Sequence, residues 1–279
     1  ATNGVEDAKG VVFSEGPLAF SGEGSLAVSG VCAGKHGVCS DDCVRLLGGD
    51  VRVAMSKKSD GVHVNERFRM DGGKLAVALT LKGDGVDADD DGSVAINGGE
   101  LTVSLLAADS KGIKCGTNTL RVAGGAVSVR CEAADCNALS GGGDLTVSGG
   151  VLDVTLSGDG SNAVKSDRSI TVAGGAVSVT ATGAQSKGFK TDGDAVFNGG
   201  TMRMALSGDA VLKPVTNAQS VAYVDPSFSC GVKASNIVVN AGSFALHVGG
   251  RGGRGFSADD RLVVSGGSLA VAASGTAKS

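Results

Sequence analysis

Apolar and polar residues alternate along this chain in short runs, and a double glycine punctuates the runs about every 25 residues. The pairs are Gly48-Gly49, Gly72-Gly73, Gly98-Gly99, Gly124-Gly125, Gly149-Gly150, Gly174-Gly175, Gly199-Gly200 and Gly266-Gly267. Degraded copies stand at Ser21-Gly22 and Ala241-Gly242. Apolar-x-apolar pairs such as Val94/Ile96, Leu120/Val122, Ile170/Val172 and Leu262/Val264 precede the glycines. Others follow them, such as Leu75/Val77, Leu101/Val103, Val127/Val129 and Met202/Met204. Residues two apart on a strand share a face, so each pair predicts a short strand turned to one interior. The glycines predict a corner that needs positive φ and close backbone approach.

A third segment completes the repeat. Its copies begin at Gly10, Gly37, Gly61, Gly85, Gly112, Ala138, Ala163, Gly188, Gly231 and Gly255. The next residue is always apolar: Val11, Val38, Val62, Val86, Ile113, Leu139, Val164, Phe189, Val232 and Phe256. The residue two further on is mostly small, and both positions are expected to face inward. Three short strands per turn predict an all-β fold, a single-stranded parallel β-helix of about ten coils. Stacked at the strand spacing, it would be roughly 45–50 Å long. A helical solenoid is excluded by the period and by glycines in every repeat. Parallel crossovers are almost always right-handed, so a right-handed coil is expected.

One interval breaks the rhythm. Gly188 to Gly231 is about 18 residues longer than a coil requires. The excess predicts an inserted loop over residues 209–229, holding the only tyrosine, Tyr223, and two of the three prolines. Long loops on rigid frames often carry function, and they are also tolerated surface insertions. One stacked core through residues 1–279 predicts a single domain.

Composition narrows the partners. A net charge of −4 and a pI near 5.4 argue against nucleic acid. No apolar run approaches a membrane span. The chain opens on polar Ala1-Thr2-Asn3 without a visible signal peptide, and its last repeat stops near Val271, so the native polypeptide is expected to continue on at least one side. The seven cysteines are odd in number. Cys115 and Cys131 are expected inside as small hydrophobes. A local disulfide among Cys32, Cys39 and Cys43 is plausible by proximity.

Between the inward positions of the third segment lie outward ones. One column reads Cys39, His63, Asp87, Lys114, Ser140, Lys165, Lys190, Lys233 and Ser257. The next reads Asp41, Asn65, Asp89, Gly116, Gly142, Asp167, Asp192, Ser235 and Asp259. Stacking predicts a lysine ladder flanked by aspartates. Such a face is either a solvated, salt-bridged surface or a row of cations for repeated anionic groups. The aspartates, crowded at Asp87, Asp89, Asp90 and Asp91 and stacked at Asp167 and Asp192, offer hard oxygens to calcium, yet turn aspartates are common for their own backbone bonds. Asp84, Asp109, Asp135 and Asp159 are expected at one shared turn. The Cys39-His63-Asp87 column suggests a nucleophilic or metal arrangement, but on an exposed face without an oxyanion hole. His36 and His247 form no cluster with each other in the sequence. The glycine-rich stretch 249–255 reads as a turn. Without tryptophan, a flat aromatic strip for crystalline cellulose is not expected.

The repeats Ser110-Lys111-Gly112-Ile113-Lys114 and Ser186-Lys187-Gly188-Phe189-Lys190-Thr191-Asp192 are followed by apolar-x-apolar and the double glycine. They resemble those of the carbohydrate-binding β-helix family first described in a cellulolytic clostridial surface protein, a family akin to pectate lyases. The resemblance is strongest over residues 84–208, and Tyr223-Val224-Asp225-Pro226-Ser227 resembles the family's inserted loop. It implies bound calcium, an extracellular or cell-surface location, and binding of cellulose or acidic polysaccharide without established catalysis. The expected sugar contacts are Lys114, Lys165, Lys190, Lys233 and Tyr223. A structural stalk or adhesin segment and a polysaccharide lyase are the alternatives.

Overall fold

The structure, a computed structural model, describes residues 9–31, 35–216 and 222–276. These contain strands and no helix, wound as a parallel β-solenoid of about ten turns. Each strand pairs in parallel with the equivalent strand one coil on. Leu101 lies between Leu75 and Val127, Val94 is paired with Leu120, and Val86 with Ile113. Twenty-six strands join one continuous sheet in this way. The core therefore runs along the axis as columns of like residues, from Val28 to Val248. Each fully buried Val or Leu contributes about 1.5–3 kcal/mol of hydrophobic stabilisation. Toward the C-terminal end the columns become aromatic. Phe189, Phe197, Phe244 and Phe256 meet edge to face, with ring centroids 4.9–5.5 Å apart.

The two corner glycines answer two different demands. The second adopts positive φ, as at Gly125 (75°), where an L side chain would be strained. The first lies against the preceding coil: a Cβ on Gly124 would stand 2.3 Å from the Asn97 carbonyl oxygen.

The third segment departs from simple alternation. The N–H groups of Gly37 and Val38 both donate to the next coil, to the carbonyls of Asp60 and Gly61. Gly61 and Val62 repeat this toward Asp84 and Gly85. Successive donors on a regular strand point to opposite neighbours, so these two copies carry stacked β-bulges. The bulge turns both the glycine and the apolar residue after it inward.

Two ends differ from expectation. In the first coil Val12, not Val11, is paired with Val38, and Val11 is 49 % exposed. In the last coil Leu262 and Val264 keep their register with Ile237 and Val239 but are about half exposed. No further coil covers them among the described residues. The insertion forms an antiparallel hairpin rather than an irregular loop, with strands Val211–Thr216 and Ala222–Ser227.

Candidate functional site

A second column runs beside the expected one, with Asn137, Asn162, Lys187 and Cys230 in it buried. It reads His36, Asp60, Asp84, Lys111, Asn137, Asn162, Lys187, Cys230 and Arg254. Strict alternation would bury these positions, two before the inward Val38 or Val62. The available sequence signal was that the residue before the third-segment glycine or alanine is polar in eight successive copies, from Lys9 to Lys187. The expected lysine column keeps its register, from Cys39 and His63 through Lys165, Lys190 and Lys233 to Ser257, but Cys39 and Asp87 in it are buried. Together the columns change sign along the rod. Histidine and aspartate dominate the early coils, asparagines the middle, and lysine and arginine the late coils.

At the basic end the hairpin overhangs this face and makes a cleft of about 430 Å³. Lys187, Lys190, Lys233 and Arg254 line it, with Asp225, Pro226, Ser227 and Phe228 from the hairpin side. Lys187 is only 9 % exposed. Its amine donates to the Gln185 carbonyl at 2.6 Å and to Ser227 Oγ at 3.2 Å. Burial, then the charges of Lys190, Lys213 and Lys233, bring its pKa down to about 8. Arg254 lies over the Phe228 ring at 3.8 Å and donates to Ser257 Oγ at 3.2 Å. Lys233 has Asp259 at 3.6 Å, while Lys190 has no ion pair among the described residues.

At the other end is a histidine–aspartate cluster. The His36 and His63 rings stack 4.3 Å apart. Asp60 Oδ2 is 3.0 Å from His36 Nδ1 and 3.7 Å from His63 Nδ1. His63 Nδ1 is also 3.2 Å from Asp87 Oδ2, and its Nε2 is 3.8 Å from Asp89 Oδ1. Burial opposes the charge on His63, but its bonds to Asp60 and Asp87 outweigh this and raise its pKa to about 9. Burial likewise opposes ionisation of Asp60. Bonds from His36, His63 and the Asp84 N–H outweigh it and hold Asp60 well below the usual carboxylate range. Asp84 is pushed up to about 6 by burial and by Asp60 and Asp87. Ligand-bearing atoms converge in three sets: His36, Asp60 and His63; His63, Asp87 and Asp89; and Asp60, Asp84 and Asp87. Only the last is all oxygen, the donor type calcium takes.

The expected site residues are divided by this geometry. Lys190 and Lys233 enter the cleft. Lys165 neighbours Lys190 in register but lies outside the lining, with its amine 3.0 Å from Asp167. Lys114 is three coils away from Lys190 and sits 2.8 Å from Asp87 Oδ1, so a lysine of the next coil faces this carboxylate. Tyr223 is on the hairpin opposite Val215, and its side chain lies outside the described residues. Asp87 and Asp89 belong to the cluster, whereas Asp91, Asp167 and Asp192 belong to none of the three sets. Asp84 stands in the new column, away from the turn of Asp109 and Asp135, which hold positive φ. Cys39 is fully buried rather than exposed, and burial together with Asp41 pushes its thiol up to about 11, against a nucleophilic role. Cys39 and Cys43 are free thiols, and Cys32 lies outside the described residues. Cys115 and Cys131 are buried as expected.

Among the described residues, no helix is long and apolar enough to cross a membrane. No curated protein and no solved structure matches the chain significantly. A family model described as "Carbohydrate-binding domain-containing protein" matches residues 1–210 and, in an overlapping second match, 107–278. With a β-solenoid presenting a ladder of cations beside a cleft, and a family match running over nearly its whole length, the chain belongs to the family of carbohydrate-binding domain-containing proteins.

Proposed function

We propose that the protein binds an anionic polysaccharide non-catalytically, with the cleft of Lys187, Lys190, Lys233 and Arg254 as the main contact. The observation that carries this reading is the convergence of four cations on one cleft lined by a single carboxylate, Asp225. Like charges about one coil apart repel by roughly 0.9 kcal/mol even in water. A bound polyanion relieves that repulsion. The coil spacing of about 4.8 Å places successive cations along the rod axis, the direction in which an acidic chain would run. Polymers of this kind are met outside the cell, so a secreted or cell-surface location is part of the reading. So is calcium, held by Asp60, Asp84 and Asp87.

Retention on polygalacturonate during affinity electrophoresis tests it. Lys190→Ala plus Lys233→Ala is expected to weaken binding by about tenfold or more, each exposed cation contributing up to about 1 kcal/mol. Lys114→Ala is expected to leave binding unchanged. Binding should weaken with salt as screening grows. Unchanged retention in the double variant would remove the cleft from the reading.

Lys187 also suits a second reading, a polysaccharide lyase. An amine brought to a pKa of about 8 beside a sugar site is a plausible general base. New ultraviolet absorbance from unsaturated products on incubation with pectin would favour the lyase, and none would favour simple binding.

A further inference from the structure

The cleft presents more positive charge, from more directions, than a sugar carboxylate requires. Lys187 rises from its floor, buried and fixed by the Gln185 carbonyl and Ser227. Lys190 and Lys233 stand side by side on adjacent coils. Arg254 comes from the coil beyond, and its guanidinium is held in place by the Phe228 ring and by Ser257 Oγ. The hairpin closes the remaining side with Asp225 and Ser227. Two carboxylates oppose these four cations, Asp225 in the lining and Asp259 at 3.6 Å from Lys233.

A uronate carboxylate is planar, offers two oxygens and carries one charge. It fills one fork of donors and leaves the others facing each other. A tetrahedral oxyanion offers three free oxygens in three directions. A phosphate monoester also carries nearly two charges at neutral pH. Arginine supplies a rigid fork suited to such oxygens, and lysine supplies a movable point charge. The cleft holds both kinds, around a floor amine that a multiply charged group would keep protonated.

We infer that the anionic group taken by this cleft is a tetrahedral oxyanion ester on a sugar, a phosphate or sulfate ester, in preference to a uronate carboxylate. This inference rests on the anionic-glycan reading above and narrows its ligand class.

Galactose 6-phosphate, galactose 6-sulfate and galacturonate are titrated separately into the full chain, with binding followed by NMR chemical-shift changes. At neutral pH at least one ester is expected to bind about tenfold tighter than galacturonate. A preference for the phosphate ester should shrink as the pH falls below its second ionisation, near 6. A preference for the sulfate ester should not, and the two outcomes separate a phosphorylated from a sulfated glycan. Arg254→Lys keeps the charge but loses the fork, and it is expected to lower the ester preference several-fold while galacturonate binding changes little. Arg254 is exposed at the end of the face, so this variant keeps the fold. Lys187→Met is expected to act in the same direction.

Galacturonate bound as tightly as both esters would overturn the inference. So would an ester preference unchanged in both variants. Polygalacturonate retained while both esters fail overturns this inference alone and leaves the anionic-glycan reading standing. Failure of every probe, polygalacturonate included, overturns both.

Discussion

Lys187 Nζ lies 3.2 Å from Ser227 Oγ, a contact between residues 40 positions apart. It fastens the inserted hairpin to the face of the solenoid and so gives the cleft a wall. The same amine is the most buried cation of the cleft, and this placement has a measurable cost. In the unfolded chain its pKa is near 10.5, and in the folded protein it is about 8.

The sign of the pH dependence follows. Between about pH 8 and 10.5 the unfolded chain holds the Lys187 proton and the folded protein has released it. Stability attributable to this group therefore rises with pH across that window. Urea midpoints at about pH 7.5 and 9.5 should separate the wild type from Lys187→Met, with the upward contribution missing in the variant. Affinity for an anionic ligand should move the opposite way, weakening as the amine discharges. Equal pH slopes in the two proteins would show that Lys187 has an ordinary pKa.

Gly125 and Gly24 give a paired test of the corner. Gly125 has φ of 75°, and a Cβ there would meet the Gly99 carbonyl oxygen at 2.7 Å. Gly24 has open space around it. Gly125→Ala is expected to destabilise by more than about 1 kcal/mol. Gly24→Ala should be neutral or stabilising by up to about 1 kcal/mol, because it restricts the unfolded chain. Similar effects at both positions, measured by chemical denaturation, would contradict the demand for glycine at the corner.

Phe197 sits between Phe189 and Phe244 in the aromatic column, edge to face with both. Phe197→Ala removes both contacts and leaves a cavity, at a cost of about 3–5 kcal/mol. Since each coil touches mainly its neighbours, the loss should be local. Hydrogen exchange is expected to speed up most in the coils around Phe197 and least near Val53. Uniform acceleration along the rod would show global cooperativity instead.

Asp60, Asp84 and Asp87 crowd together, and Asp84 is raised to about 6 by burial and these neighbours. Lys114 already stands 2.8 Å from Asp87, so calcium would have to compete with an internal cation. Added calcium is expected to raise the melting temperature, chelator to lower it, and Asp84→Asn to abolish the response. Lys114→Met should enlarge it. A melting temperature indifferent to calcium in both wild type and Lys114→Met would assign these carboxylates to His36, His63 and Lys114 alone.

Much of the fold was legible in the chain because its repeat is short and strict. Period two placed Val94, Leu120 and Leu145 inside, and the double glycine marked each corner. The first coil misled because Val11 and Val12 are both apolar, and only pairing with the next coil chooses between them. The insertion was legible as extra length, but its hairpin depends on cross-strand pairing such as Lys213 with Asp225.

The sequence by itself determined the solenoid, its inward columns and the ladder of Lys165, Lys190 and Lys233, because each follows from a local period that stacking multiplies. The tertiary structure alone decided which charges meet. A bulge repeated in successive early coils brought His36, Asp60 and Asp84 together beside the expected column, at positions that simple alternation would bury in the core. A hairpin folded back over Lys187 made an open ladder into a cleft. Lys114 and Lys190 occupy the same repeat position, yet one neutralises Asp87 and the other faces the cleft. Charge pairing depends on distances between coils and across an insertion, and no period within one strand encodes those.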